Sequence, residues 1–171
     1  MKMISTFLWN IIEKISIFCL SILFKIIHKD LTEEAKDGFL QFVKFGLVGV
    51  TNTVISYLIN VVVLLFLKPY EVSWDFVAAN TIAFILSVLW SFMLNSIFVF
   101  KQEEGEKRNP WKTLLKTYIA YGFTGIVLNN ILSFIWINLF GISKYIAPLI
   151  NLIISIPVNF FMNKLWAFKG E

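Results

Sequence analysis

Apolar residues run almost unbroken through four stretches of the chain, at about 45–67, 76–100, 118–140 and 142–168, with short polar segments between them. A helix that crosses the hydrocarbon core of a bilayer needs about 20 apolar residues, and each stretch reaches that length. None has an acidic or basic residue in its central part. Lys164 lies near the end of the last, where its long stem can carry the ammonium back to the interface. The pattern predicts an all-α membrane protein with four transmembrane helices. Pro148 and Pro157 fall inside the fourth stretch and predict a kink there, tolerated if neighbouring groups satisfy the freed carbonyls.

Residues 1–41 follow another pattern. Ile4, Phe7, Leu8, Ile11, Ile12, Ile15, Phe18, Ile22, Leu23 and Ile26 recur at three- and four-residue spacing. Asn10, Glu13, Lys14, Ser21, Lys25 and His28 fall on the opposite side. This predicts an amphipathic helix lying in the membrane interface. A fifth span is the rival reading, and it would place two charges near mid-membrane. "HKDLTEEAKDG" then predicts a charged connector, with weak helix-start chemistry at Asp30–Glu33 and a weak stop at Gly38. The expected organisation is an interfacial arm and connector over 1–41, and a four-helix transmembrane domain over 42–171.

Composition supports the membrane assignment. Of 171 residues, 58% are apolar, 17% aromatic and 15% charged, with 18 Phe; mean hydropathy is +0.76. A soluble domain of this size carries more charge, and the soluble alternative is a core-only fragment of a larger assembly. One Cys (Cys19) and one His exclude an intramolecular disulfide and a Cys/His metal framework, and no cofactor is expected. No signal peptide is apparent. The net charge of +4 concerns orientation and lipid headgroups rather than nucleic acid. Thirteen of the 15 Lys and Arg residues lie before the first span, in the middle loop or in the tail, and only Lys68 and Lys144 lie in the two short loops. The distribution predicts cytoplasmic termini and a cytoplasmic middle loop.

The chain also matches itself. "NSIFVFK" (95–101) and "NKLWAFK" (163–169) each close an apolar run, 68 positions apart. The same shift aligns Ala79 with Ala147, Ser87 with Ser155 and Phe92 with Phe160. A shift of 73 aligns the first and third spans less well, through Gly49 with Gly122 and Thr51 with Thr124. Two spans per unit put both units the same way up, so the expected architecture is two parallel two-helix repeats, preceded by the interfacial helix.

Ten Asn residues lie in or at the spans: Asn52, Asn60, Asn80, Asn95, Asn129, Asn130, Asn138, Asn151, Asn159 and Asn163. An unpartnered amide in hydrocarbon costs several kcal/mol, so these should face other helices or a cavity. Interhelical bonding explains most of them. Asn52, Asn95, Asn159 and Asn163 lie near Lys44, Lys101, Lys164 and Lys169, where amide donors beside lysines could hold a phosphate headgroup. Positive-inside anchoring is the other reading of those lysines. Gly46, Gly49, Gly122 and Gly125 suggest close helix approach, and the tryptophans suggest belt anchoring. No paired carboxylate, nucleophile–base set or phosphate-binding glycine loop is present, so no enzyme is expected. The acidic residues, Glu103 and Glu104 among them, sit in connectors. Lack of an intramembrane carboxylate disfavours a proton-coupled exporter of small solutes.

"KFGLVGVTNTVISY" (44–57), "NSIFVFK" (95–101) and "VNFFMNKLWAFK" (158–169) resemble the signature segments of the GtrA-like family of small four-span bacterial membrane proteins. The resemblance covers roughly 42–169 and leaves the arm unexplained. It implies residence in the bacterial plasma membrane and a part in cell-surface polysaccharide synthesis. The implied task is flipping a polyprenyl-phosphate-linked monosaccharide, such as undecaprenyl-phosphate glucose, to the outer leaflet for glycosylation of O-antigen, teichoic acid or arabinogalactan. The implied partners are a polyprenyl-phosphate glycosyltransferase and an outer-facing glycosyltransferase. Motif positions fall on Lys44, Phe45, Gly49, Asn52, Asn95, Phe100, Asn159, Phe160, Asn163, Lys164, Trp166 and Phe168. The chain has Lys at 44 and 164 where the family often has Arg, and Ser96 where a basic residue is common, so bidentate phosphate binding and a symmetric headgroup clamp are in doubt.

The expected mechanism places the headgroup among Lys44, Asn52, Asn95, Lys101, Asn159, Asn163, Lys164 and Lys169. The sugar then passes along a seam through Thr51, Ser56 and Asn60, or through Asn129, Asn130 and Ser133. Four helices make a thin wall for such a path, which a homodimer would thicken. The rival expectation is a non-transporting adaptor that orients the glycosyltransferase.

Overall fold

The computed structural model describes residues 2–102 and 105–170, with side chains of the first helix from Trp9 onward. Ile4, Phe7 and Leu8 of the apolar stripe, and Glu103 and Glu104 of the middle loop, therefore lie outside the described side chains. All regular structure among the described residues is helical. Helix α1 runs over Lys2–Ile26 and α2 over Glu33–Leu67, followed by a 3-10 turn at Lys68–Tyr70. Helix α3 runs over Asp75–Leu94 and widens into a π turn at Asn95–Val99. Helices α4 (Pro110–Gly122) and α5 (Asn129–Asn138) flank a second π turn, Phe123–Leu128. Helix α6 spans Ala147–Met162 and ends in a third π turn, Asn163–Ala167. Four continuous helical segments are long and apolar enough to cross a bilayer: Glu33–Tyr70, Asp75–Val99, Pro110–Asn138 and Ala147–Ala167.

Several boundaries differ from the sequence expectation, each for a local reason. Gly38 does not stop α2, which runs on from Glu33; the loss of about 1 kcal/mol for an interior Gly is small beside the helix it would break. The start is capped by Thr32, whose Oγ1 accepts from Ala35 N at 3.2 Å, rather than by Asp30. The third span begins at Pro110, not at 118. Asn109 Oδ1 accepts from the backbone N–H of Trp111 (3.0 Å) and Lys112 (3.2 Å), and Pro110 at the first position needs no donor. Pro148 likewise sits in the first turn of α6, where its missing N–H costs nothing, and only Pro157 is interior. Gly141, at φ 66°, closes α5: Ile142 N donates back to Trp136 O at 2.9 Å.

The chain forms two compact units, 1–46 and 47–171. In the first, α1 turns Ile11, Ile15, Phe18, Ile22 and Ile26 outward, an apolar stripe at helical spacing, while Ser16 and Leu20 are buried. Lys44 lies over the Trp9 ring, 4.8 Å from its centroid. In the second unit the core is small and polar-rich: Ala79, Ala83, Val88, Ala120 and Ala147 are buried together with Ser91, Asn95, Thr117, Asn151 and Asn163. Small side chains let helix backbones meet without a hydrophobic driving force, as expected in lipid. The glycines do not take part. A Cβ at Gly46, Gly49, Gly122 or Gly125 would meet no atom within 4 Å, so the expected close helix approach at these positions is not found.

Candidate functional site

The two matched heptapeptides adopt the same local structure. Asn95 O accepts from Phe100 N at 2.7 Å, and Asn163 O accepts from Phe168 N at 2.8 Å. These five-residue bonds insert one residue into the helix. The side chains beyond are rotated by about 100° from an uninterrupted α-helix. Phe100 and Phe168 are thereby turned inward, 4% and 3% exposed. Their ring centroids lie 4.7 Å apart. Phe92 meets Phe168 at 5.9 Å, and Phe100 meets Phe160 at 5.9 Å. A shift of 68 positions exchanges those two contacts.

The asparagines that open the turns have no exposure. Asn163 donates through Nδ2 to Asn159 O (2.8 Å) and Asn159 Oδ1 (3.0 Å). Because a backbone carbonyl only accepts, this fixes which end of the amide is which. Asn95 Nδ2 donates to Ser91 Oγ at 3.2 Å. Ser91 Oγ is in turn hydrogen-bonded to Tyr121 Oη at 2.5 Å, where either hydroxyl can donate. The Oδ1 atoms of both asparagines are buried without a partner.

Two cations close the same end. Arg108 Nη1 donates to Phe100 O at 2.7 Å, Nη2 reaches both carboxylate oxygens of Glu106 at 2.9 and 3.1 Å, and the guanidinium lies 5.5 Å from the Phe168 centroid. Lys116 Nζ donates to Trp166 O at 3.0 Å. The π turns at Asn95–Val99 and Asn163–Ala167 thus each have a carbonyl at or just past their end satisfied by a basic residue of the middle loop or α4. Arg108→Ala should lower stability by about 1–3 kcal/mol, since it removes two charge-assisted hydrogen bonds, one to a carbonyl and one to a carboxylate. A detergent melting curve that does not move would remove this role.

A groove of about 520 Å³ opens along α2, α3 and α4. Helix α2 contributes Asn52, Thr53, Ser56, Tyr57 and Asn60; α3 contributes Asn80, Ala83, Phe84, Ser87 and Val88; Tyr121 and Gly125 complete the lining. The volume falls within the range of about 300–1,000 Å³ usual for small-molecule sites. Asn60 Nδ2 donates to Asn80 Oδ1 at 2.8 Å. Asn52 Oδ1 is buried without a partner. Gly125, with nothing within 4 Å of where its Cβ would be, leaves the groove wide.

A second polar cluster joins α5 to α6. Asn151, 1% exposed, donates through Nδ2 to Asn129 Oδ1 (2.6 Å), Ser133 Oγ (2.7 Å) and Asn129 O (3.1 Å).

The expected seam residues therefore separate. Ser56 and Asn60 line the groove. Thr51 does not: its hydroxyl donates to Val48 O at 2.8 Å and accepts from Trp90 Nε1 at 3.3 Å. Asn129 and Ser133 belong to the second cluster, and exposed Asn130 donates to Ile126 O of its own helix at 2.8 Å. Of the expected headgroup residues, Asn159 and Asn163 are bonded together, Asn95 lies buried beside Ser91, and Asn52 faces the groove. Lys164 is half-buried, its Nζ 5.7 Å from the Phe160 centroid. Lys101 and Lys169 are exposed, and Lys44 belongs to the first unit. The sequence reading missed Asn80, Ser87, Tyr121 and Arg108 as site residues. Asn80 was visible as an intramembrane amide, whereas nothing local distinguished Arg108 from an orientation charge.

Four apolar spans, with amides and hydroxyls gathered between them, define a multi-pass helical membrane protein. Its residues 44–168 match the family model described as GtrA/DPMS, transmembrane domain, and the chain belongs to that family. It is similar to the cell wall teichoic acid glycosylation protein GtcA of Listeria monocytogenes, 25% identical over 144 residues, covering 82% of this chain and 90% of the relative. It is also similar to the uncharacterized membrane protein YwcD of Bacillus subtilis, 28% identical over 98 residues, covering 56% of this chain and 74% of that one. No solved structure matches the chain.

Proposed function

We propose that this protein moves a polyprenyl-phosphate-linked monosaccharide from the cytoplasmic to the outer leaflet of the bacterial plasma membrane, for glycosylation of cell wall teichoic acid or a related surface polymer. The observation that carries the reading is the groove of about 520 Å³ among the spans. Hydrocarbon offers nothing to its amides and hydroxyls, whereas the hydroxyls of a sugar can pair with them. Among the described residues, no Asp, Glu, Lys or Arg lines it, which suits an uncharged sugar whose phosphate remains at the membrane surface. The relatives named for teichoic acid glycosylation supply the polymer class.

In this reading the Lys101 and Lys169 ends face the cytoplasm, as the distribution of basic residues predicts. Lys101, Lys164 and Lys169 supply charge to the phosphate, and Asn52 contacts the head as it enters the groove. Asn95 and Asn163 take the structural part: both are fully buried, each Nδ2 donates within the protein, and the unpartnered atom of each is an acceptor oxygen, which an anion cannot use. Downhill flipping is driven by consumption of the sugar outside, where a glycosyltransferase uses it; another glycosyltransferase loads the lipid inside.

Purified protein in liposomes should accelerate leaflet exchange of a labelled polyprenyl-phosphate monosaccharide above protein-free vesicles. Lys164→Ala should slow it by about tenfold, the equivalent of losing one charge-assisted contact of about 1.4 kcal/mol. Exchange no faster than in empty vesicles overturns the proposal. The exposed apolar stripe of α1 favours a second reading, an adaptor that holds a glycosyltransferase at the membrane. Absent exchange with retained co-purification of that enzyme would establish it.

A further inference from the structure

We infer that the two polar seams of this protein are counterparts, that one of them is sealed, and that residue 83 keeps the other open as the passage. The inference rests on the translocation reading above for what passes, but not for which seam is open. The shift of 73 that relates the first and third spans carries Ser56 to Asn129 and Asn60 to Ser133. The shift of 68 that relates the second and fourth carries Ala83 to Asn151. The structure sets each of these trios together. Ser56, Asn60 and Ala83 all line the groove. Asn129, Ser133 and Asn151 are joined by direct hydrogen bonds of 2.6 and 2.7 Å.

The difference lies in one side chain. In the second half, Asn151 reaches across and occupies the polar groups of α5 with its own amide. In the first half, Ala83 is 3% exposed and ends at Cβ, so nothing extends toward Ser56. The Ser56 hydroxyl is left to the groove, beside an Asn60 amide whose Nδ2 is already donated to Asn80. A carboxamide at 83 should do what Asn151 does: reach Ser56, satisfy it, and fill the passage from within. Ala83 is therefore a residue that sets permeability through its small size, and Asn151 is a structural seal.

The test uses the full chain in liposomes with a labelled polyprenyl-phosphate monosaccharide. Ala83→Asn should cut exchange at least tenfold, and Asn151→Ala should leave it within twofold of the parent. Exchange unchanged in Ala83→Asn, or lost in a folded Asn151→Ala, overturns the inference. A second measurement does not depend on transport or on tolerance of the larger side chain. In a Cys19→Ser background, Ala83→Cys should react with a hydrophilic methanethiosulfonate at least tenfold faster than Asn151→Cys. Equal rates, or a faster reaction at 151, overturn it. If the parent protein shows no exchange while the labelling difference holds, the translocation reading fails and the open seam stands.

Discussion

Ser56→Phe is expected to abolish leaflet exchange, by more than tenfold, while leaving the protein folded. Ser56 is half-buried on α2 and lines the groove one helical turn from Asn60. A phenyl ring there extends into about 520 Å³ of space that no side chain fills, so it meets little of the overpacking that larger residues cause in a closed core. It replaces a hydroxyl that the proposed translocation offers to a sugar with a ring that has neither donor nor acceptor and narrows the groove. The melting temperature in detergent should stay within about 2 °C of the parent, in line with surface-type changes of about 0.5 kcal/mol or less. Leu58→Phe is the matched control, because Leu58 is 51% exposed on the same helix and does not line the groove. A Ser56→Phe protein that exchanges lipid at the parental rate would remove the groove from the mechanism.

Phe168→Ala is expected to have the largest effect on stability. The ring is 3% exposed. It contacts Phe100 at 4.7 Å and Phe92 at 5.9 Å, under the guanidinium of Arg108 at 5.5 Å. Removing it opens a cavity at the meeting point of two π turns and takes away an aromatic face from a cation. Buried Phe→Ala changes cost about 3–5 kcal/mol, and a loss of about 3 kcal/mol corresponds to a drop of roughly 6–12 °C for a chain of this size. Phe98→Ala, at a position 54% exposed, should cost about 1 kcal/mol or less. Equal losses at the two positions would mean that the ring cluster does not hold the helix ends.

The predicted helices were legible because length and hydropathy alone decide whether a segment can cross a bilayer. The ends were read less well. Asn109–Pro110 is a helix start with clear capping chemistry, but it lies in a charged stretch, so apolar continuity placed the third span's beginning at 118 rather than at 110. The glycines misled for a related reason: small residues in a span usually mark close packing, yet Gly125 faces a groove and the other three meet nothing. The asparagines were all visible, but the partners of each were not. Asn163 and Asn151 look alike in the chain. One caps its own helix turn and the other ties α6 to α5.

The sequence by itself determined the membrane class, the four spans, the family resemblance and the recurrence of the Asn–Phe–Lys ending. Each of these depends on composition and local order, which survive without knowledge of any partner. Only the tertiary structure decided that the two endings are π turns whose rings meet, that the Asn95 and Asn163 side chains donate inward, and that Ser56 and Asn60 line a groove while Asn129 and Ser133 are bonded to Asn151. Those outcomes depend on which helix faces which. Side chains 20 to 50 positions apart in the chain, such as Asn60 and Asn80 or Lys116 and Trp166, meet only when the helices pack.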